Sequence, residues 1–131
     1  MIKQDYLLRM IQEIISLIAH ALLNKQKIRQ QNWVEYDCLT QQILEIPTEK
    51  LISMLPEEIV AKYEKDLNAM GKIELAAMTL LKISDDTDNG QLVLKTRLKA
   101  NGLELLKKVQ AESNTFSIQR MTLIQALENN F

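Results

Sequence analysis

Three carboxylates crowd into residues 84–90, "SDDTDNG": Asp85, Asp86 and Asp88, followed by Asn89 and Gly90. Hard cations are held by oxygen ligands, so a metal would be sought here first. Counted as a calcium loop from Asp85, the third position is Thr87, the fifth Asn89, the sixth Gly90 and the apolar eighth Leu92. The twelfth position then falls on Thr96, where a bidentate glutamate is required, and threonine at the third is a weak ligand. The stretch therefore reads as a loop between two helices, with Asp88 or Asn89 capping the second and Gly90 permitting a tight turn. The alternative is a small metal-dependent enzyme or sensor using Asp85, Asp86 and Asp88 together with Glu13 and His20.

His20 is the single histidine. With Glu13 and Ser16 it recurs at helical spacing, but residues stacked along one helix face do not make a triad. One histidine and one cysteine cannot complete a zinc site either, so His20 is expected to be a partly solvated side chain. Cys38 reads as a small hydrophobe within a helix. As the lone cysteine it excludes an internal disulfide and fits a reducing cytosol. The adjacent pairs Glu57/Glu58 and Asp85/Asp86 diverge by ~100° on a helix and stand where caps are expected. Lys25, Lys27 and Arg29, with Trp33 nearby, read as a solvated connection; three charges and one aromatic make a weak nucleic-acid signal. No phosphate-binding loop or dinucleotide fingerprint occurs. No catalytic, cofactor-binding or metal residue is assigned.

The elements that must carry these residues are helices. Among 131 residues there are only 3 glycines and 2 prolines, while Leu, Ile, Lys, Glu, Gln, Ala and Met dominate, most of them strong helix formers. The length is that of one domain, residues 1–131, able to bury a core without disulfides or metals. A first helix is expected from about Asp5 to Asn24, with Arg9, Gln12, Glu13, Ser16 and His20 as its polar stripe. Its apolar arc is wider than an ordinary amphipathic face and calls for cover on two sides. The apolar run 14–23 is about half the ~20 residues that span a bilayer, so it reads as core. A second helix carries Trp33, Tyr36, Leu39, Ile43 and Leu44 and ends before Pro47. A short turn from Thr48 follows. The next helix starts at Pro56 and runs to about Met70, with Ile59, Val60, Tyr63 and Leu67 inward. Gly71 breaks it, and residues 72–83 form another helix facing inward through Ile73, Ala76, Ala77, Leu80 and Ile83. A long helix covers about 91–111, and its row Leu94, Leu98, Gly102, Leu105, Val109 places a glycine where a neighbouring helix packs closely. The last helix carries Phe116, Ile118, Met121, Leu123, Ile124 and Leu127. The expected fold is all-α: stacked antiparallel helical hairpins, about six helices plus a short helical turn.

Residues 72–83 and 115–126 match at Met78/Met121, Thr79/Thr122 and Leu80/Leu123, a spacing of helical-hairpin size. "GKIELAAMTLLKI" sets Gly71, Ile73, Ala76, Leu80 and Ile83 where tetratricopeptide repeats have a glycine, an aromatic, an alanine, an aromatic and a small residue. The segment resembles such a repeat over about 57–83, and more loosely over 94–127. It departs from the pattern at Glu64, where the repeat has a small residue, and at Asp88, where it closes on proline. Through "IKQDYLLRMIQEI" and "GLELLKKVQAESNTFSIQRM" the whole chain resembles a family of short, functionally uncharacterised helical proteins of low-GC Gram-positive bacteria. That resemblance implies a compact repeat-like fold and supplies no catalytic residues.

Net charge is −1, so no global field draws nucleic acid. Residues 1–45 are neutral, 46–90 carry −4 and 91–131 carry +3, which solvated helix faces accommodate. The expectation is a non-catalytic, cytoplasmic protein–protein interaction or scaffolding module with no cofactor, no nucleic acid and no membrane. Its partner is another protein, or a second copy joined through the wide apolar face of the first helix.

Overall fold

The computed structural model describes residues 4–129. Among them the chain forms seven α-helices, one 3-10 turn and no strand. They are α1 (Gln4–Leu23), α2 (Gln30–Leu44), α3 (Thr48–Ser53), α4 (Pro56–Tyr63), α5 (Ala69–Asp86), the 3-10 turn Asn89–Gln91, α6 (Leu92–Glu112) and α7 (Ile118–Asn129). The all-α architecture is as the composition requires. One continuous hydrophobic core draws side chains from every α-helix.

The centre of that core is α5, whose residues 72–82 are all buried, Lys72, Glu74 and Lys82 included. It packs against α1, α2, α3, α4 and α6. Each fully buried Leu or Ile on it contributes roughly 1.5–3 kcal/mol by leaving water. Ala77 keeps α5 slim where α6 comes close. A methyl group on Gly102 of α6 would lie 2.7 Å from Leu81 Cγ and 3.0 Å from the Ala77 carbonyl oxygen. The glycine expected to seat a neighbouring helix does so.

Direction follows from the pairs that meet. Ser84 lies by Lys95, and Gly102 by Ala77 and Leu81, so α5 and α6 form an antiparallel hairpin. Lys107 reaches Glu128 and Gln110 reaches Arg120, which makes α6 and α7 antiparallel as well. In contrast, Gly71 faces Ile11 at the start of α5, and Leu22 and Leu23 stand beside Ser84 at its end. Helix α1 therefore runs parallel to α5, and α2 to α4 return the chain between them.

Several boundaries and faces differ from expectation. Gly71 does not break a helix but sits in the first turn of α5, where its propensity cost is least felt. The break falls at residues 64–68, where Asp66 Oδ1 accepts the Asn68 backbone N–H (3.0 Å) and its Oδ2 accepts from Lys72 Nζ (2.7 Å). Leu67 rides on that turn and is 84% exposed instead of inward. Phe116 and Ile118 are likewise exposed, because α7 begins only at Ile118 and turns Leu123 and Ile124 inward. Helix α1 buries Met10, Ile11, Ile14, Ile15 and Ile18, and its wide arc is covered by α5, α7 and α2 together. All 20 residues of α1 form a segment that length and composition alone would allow to cross a membrane; in this fold it is a core helix.

Candidate functional site

The acidic stretch and the basic connection, 58 residues apart in sequence, meet at the carboxyl end of α5. Ser84, Asp85 and Asp86 are the last residues of that helix rather than loop, and Thr87 is its C-cap. A helix end exposes carbonyl oxygens and carries the negative pole of the helix dipole, so carboxylates there are unfavourable unless cations answer them. Three lysines do. Lys27 Nζ donates to Asp85 Oδ2 (2.8 Å) and to the Asp85 carbonyl, with Asp86 Oδ1 at 3.7 Å. Lys95 Nζ donates to the carbonyls of Ser84 (2.8 Å) and Thr87 (3.0 Å). Lys82, itself buried, pairs with Asp86 and lies 4.4 Å over the Trp33 ring, a cation–π contact in a largely dry setting.

The site residues of a calcium loop are thus separated in role. Asp85 and Asp86 answer lysines, and Thr87 Oγ1 donates to the Ile83 carbonyl (2.7 Å). Asp88 caps the 3-10 turn, its Oδ1 facing the Gly90 N–H at 3.4 Å. Asp88 or Asn89 was expected to cap the following helix, but Asp88 caps the 3-10 turn instead, and α6 starts after Gln91 with no side-chain cap; Gly90 has no left-handed backbone, so the turn does not depend on glycine there. Among the described residues no group of three His, Cys, Asp or Glu side chains is placed to hold a metal.

Above this helix end lies a cleft of about 460 Å³, within the usual range for ligand sites. Its floor is Leu22 and Leu23 of α1, Leu81 of α5 and Leu123, Ala126 and Leu127 of α7. Its rim carries Lys25 and Lys27 from the α1–α2 connection and Lys95 and Lys99 from α6, against one carboxylate, Asp85. Lys25 stands in a left-handed backbone (φ 53). The Gln26 N–H bonds back to the Ala21 carbonyl at 2.9 Å and the Lys25 N–H to the Leu22 carbonyl at 3.3 Å. This is the Schellman ending of a helix, with lysine where glycine is usual.

The remaining candidates are scattered. Glu13, Ser16 and His20 are exposed along α1, and His20 is engaged by the Asn24 side chain at 3.2 Å. Cys38 is exposed on α2 rather than buried, with Gln42 Nε2 at 3.7 Å from its Sγ; the adjoining turn keeps that face of α2 open. Glu58 accepts the Leu55 N–H (2.8 Å) and so caps α4, while Glu57 is exposed in the same first turn. Trp33 is 6% exposed beneath Lys82, so its ring is closed to a stacking base, and Arg29 precedes α2 on the surface.

One buried ionic group escaped sequence reasoning. Arg120 of α7 reaches both carboxylate oxygens of Glu74 on α5 at 3.2 Å, with Nε on Gln110 Oε1 (2.6 Å) and Nη2 on the Thr115 carbonyl (2.8 Å). Both side chains are nine-tenths buried or more. Burial pushes the Glu74 carboxyl above its usual range, and the guanidinium opposes that rise. A lone glutamate inside the otherwise apolar "IELAAM" was the available signal. The pair locks α7 onto α5.

Comparison with protein-family models, curated proteins and solved structures finds no match to this chain.

Proposed function

We propose that the protein is a non-catalytic module that binds another protein, of the short repeat-like helical kind its opening and closing segments resemble. The observation that supports this reading is the cleft at the end of α5, apolar on its floor and cationic on its rim. Its titratable side chains serve as helix caps and ion pairs, not as an acid–base couple. A cytoplasmic setting belongs to the same reading, in keeping with the unpaired Cys38. Self-association through α1 is a second arrangement, favoured by Tyr6 and Leu8, which stay 54% and 41% exposed.

Affinity capture with the purified chain, followed by titration of the captured protein against it, tests the reading. A saturable one-to-one complex supports it. The metal-dependent alternative predicts instead that calcium, zinc or manganese raises the melting temperature, since a ligand that binds only the native state stabilises it. Such a rise, abolished when Asp85, Asp86 and Asp88 are changed to Asn, would displace the module reading.

A further inference from the structure

We propose that Asn89 is a site of self-modification, its side-chain amide converted to aspartate and isoaspartate by attack of the Gly90 backbone nitrogen. The fold withholds the same reaction from Asn101. The chain holds two Asn-Gly pairs, Asn89–Gly90 and Asn101–Gly102, and this is the dipeptide in which no β-carbon hinders that attack. The Gly90 nitrogen gives its proton to solvent hydroxide and bonds to Asn89 Cγ. The Cγ–Nδ2 bond breaks, and its nitrogen takes a proton from water and leaves as ammonia. A five-membered succinimide remains. Water then opens the ring at Cγ, giving aspartate, or at the backbone carbonyl carbon, giving isoaspartate, in which the main chain runs through the former side chain. In sum, one amide and one water become one carboxylate and one ammonium, and nothing is oxidised or reduced.

Ring closure needs a nitrogen free of a carbonyl partner and a backbone able to turn it onto Cγ, and on both counts the two pairs differ. The Gly90 N–H has the Asp88 side chain as its partner, at a long 3.4 Å, and no backbone carbonyl. Asn89 and Gly90 are both exposed, in a 3-10 turn of three residues. A β-carbon built on Gly90 would meet the Asp88 carboxyl alone, at 3.8 Å and 3.9 Å, so no neighbour pins this peptide. Asn101 and Gly102 lie within α6 instead. There the Gly102 N–H belongs to the ladder that joins each residue to the fourth before it. A β-carbon on Gly102 would stand 2.7 Å from Leu81 and 3.0 Å from the Ala77 carbonyl. Turning that peptide means breaking α6 where it is seated on α5. The product at Asn89 adds a fourth carboxylate to residues 84–90, and isoaspartate lengthens the link between α5 and α6 by one methylene.

The test ages the full chain at mildly alkaline pH, once native and once in urea, and digests each with trypsin beside an unaged sample. Cleavage after lysine and arginine leaves Asn89 in peptide 83–95 and Asn101 in peptide 100–107. In the native chain, peptide 83–95 should gain one mass unit. Peptide 100–107 should convert about tenfold more slowly or less, because it reacts only when a packed helix opens. In urea the two should convert at like rates. Gly90→Ala has room for its methyl and no left-handed backbone to strain. It should therefore melt with the parent while slowing conversion of 83–95 by about tenfold, since its β-carbon hinders the ring. A methyltransferase specific for isoaspartate should label the aged parent and not the aged Gly90→Ala chain. A native 83–95 peptide that stays unchanged overturns the proposal. Equal native rates in the two peptides overturn the protection of Asn101. Conversion as fast in Gly90→Ala as in the parent overturns the route through the Gly90 nitrogen, because direct hydrolysis would then account for the mass gain.

Discussion

Gly102 and Asp66 show opposite ways in which one residue governs a helix junction. Replacing Gly102 by alanine would gain about 1 kcal/mol of helix propensity. The new methyl, however, meets Leu81 at 2.7 Å and, at 3.0 Å, a backbone oxygen that cannot step aside as a side-chain end could. Overpacking costs typically about 1–3 kcal/mol, so Gly102→Ala is expected to lower stability in urea melts despite its propensity gain. An increase would mean that α5 and α6 are less closely seated than described. Asp66 has its carboxyl held below the usual range, first by the Lys72 hydrogen bond and then by the Asn68 backbone N–H. A depressed acid contributes stability above its unfolded value of 3.8 and loses it as pH falls through the lower folded value. Parent and Asp66→Asn should therefore differ in melting temperature at neutral pH and converge once the pH has fallen below the depressed folded value. A gap that persists in acid would assign the loss to packing rather than to charge. Gly102 was legible because an apolar row at steps of three and four is interrupted only there. The Asp66 turn was not, because the helical spacing of Ile59, Val60 and Tyr63 runs on through it to Leu67.

At the scale of elements, burial divides helices that the sequence pattern treats alike. Leu80 lies within α5 at 0% exposure, and Leu67 on the turn before it at 84%. Leu80→Ala should cost about 2–5 kcal/mol, whereas Leu67→Ala should stay within about 0.5 kcal/mol; chemical denaturation of the two variants side by side checks this. Similar costs at both sites would return α4 to the longer helix its periodicity suggested. The periodicity of Ile59, Val60 and Tyr63 continues smoothly to Leu67, so no local signal announced the early stop. Phe116 and Ile118 failed for the same reason at the start of α7. What local pattern supplies is the existence of each helix and the side facing inward along its middle. It does not supply the partners that cap its ends: the Lys27–Asp85 pair closes across 58 residues, and Trp33 slides under Lys82 from another helix. The candidate cleft was illegible for this reason, since every residue on it reads locally as an ordinary helix face or connection.

For the whole molecule, the wide apolar arc of α1 is shared among α5, α7 and α2, and the surface left for a second copy is small, centred on Tyr6 and Leu8. If that patch joins two chains, light scattering at micromolar concentration should give twice 15.1 kDa, and Leu8→Glu should restore the single mass while the protein stays folded. A single-chain mass at every concentration would remove self-association through α1. The parallel course of α1 and α5 has a further consequence in time. Ile11 finds Gly71 about sixty residues later, and at roughly 5–20 residues per second that stretch takes the ribosome roughly 3–12 seconds to make. For those seconds the nascent chain displays an isoleucine-rich segment, apolar enough to enter a bilayer, before the helix that will bury it exists. Slowing translation between residues 24 and 69 would lengthen that exposure.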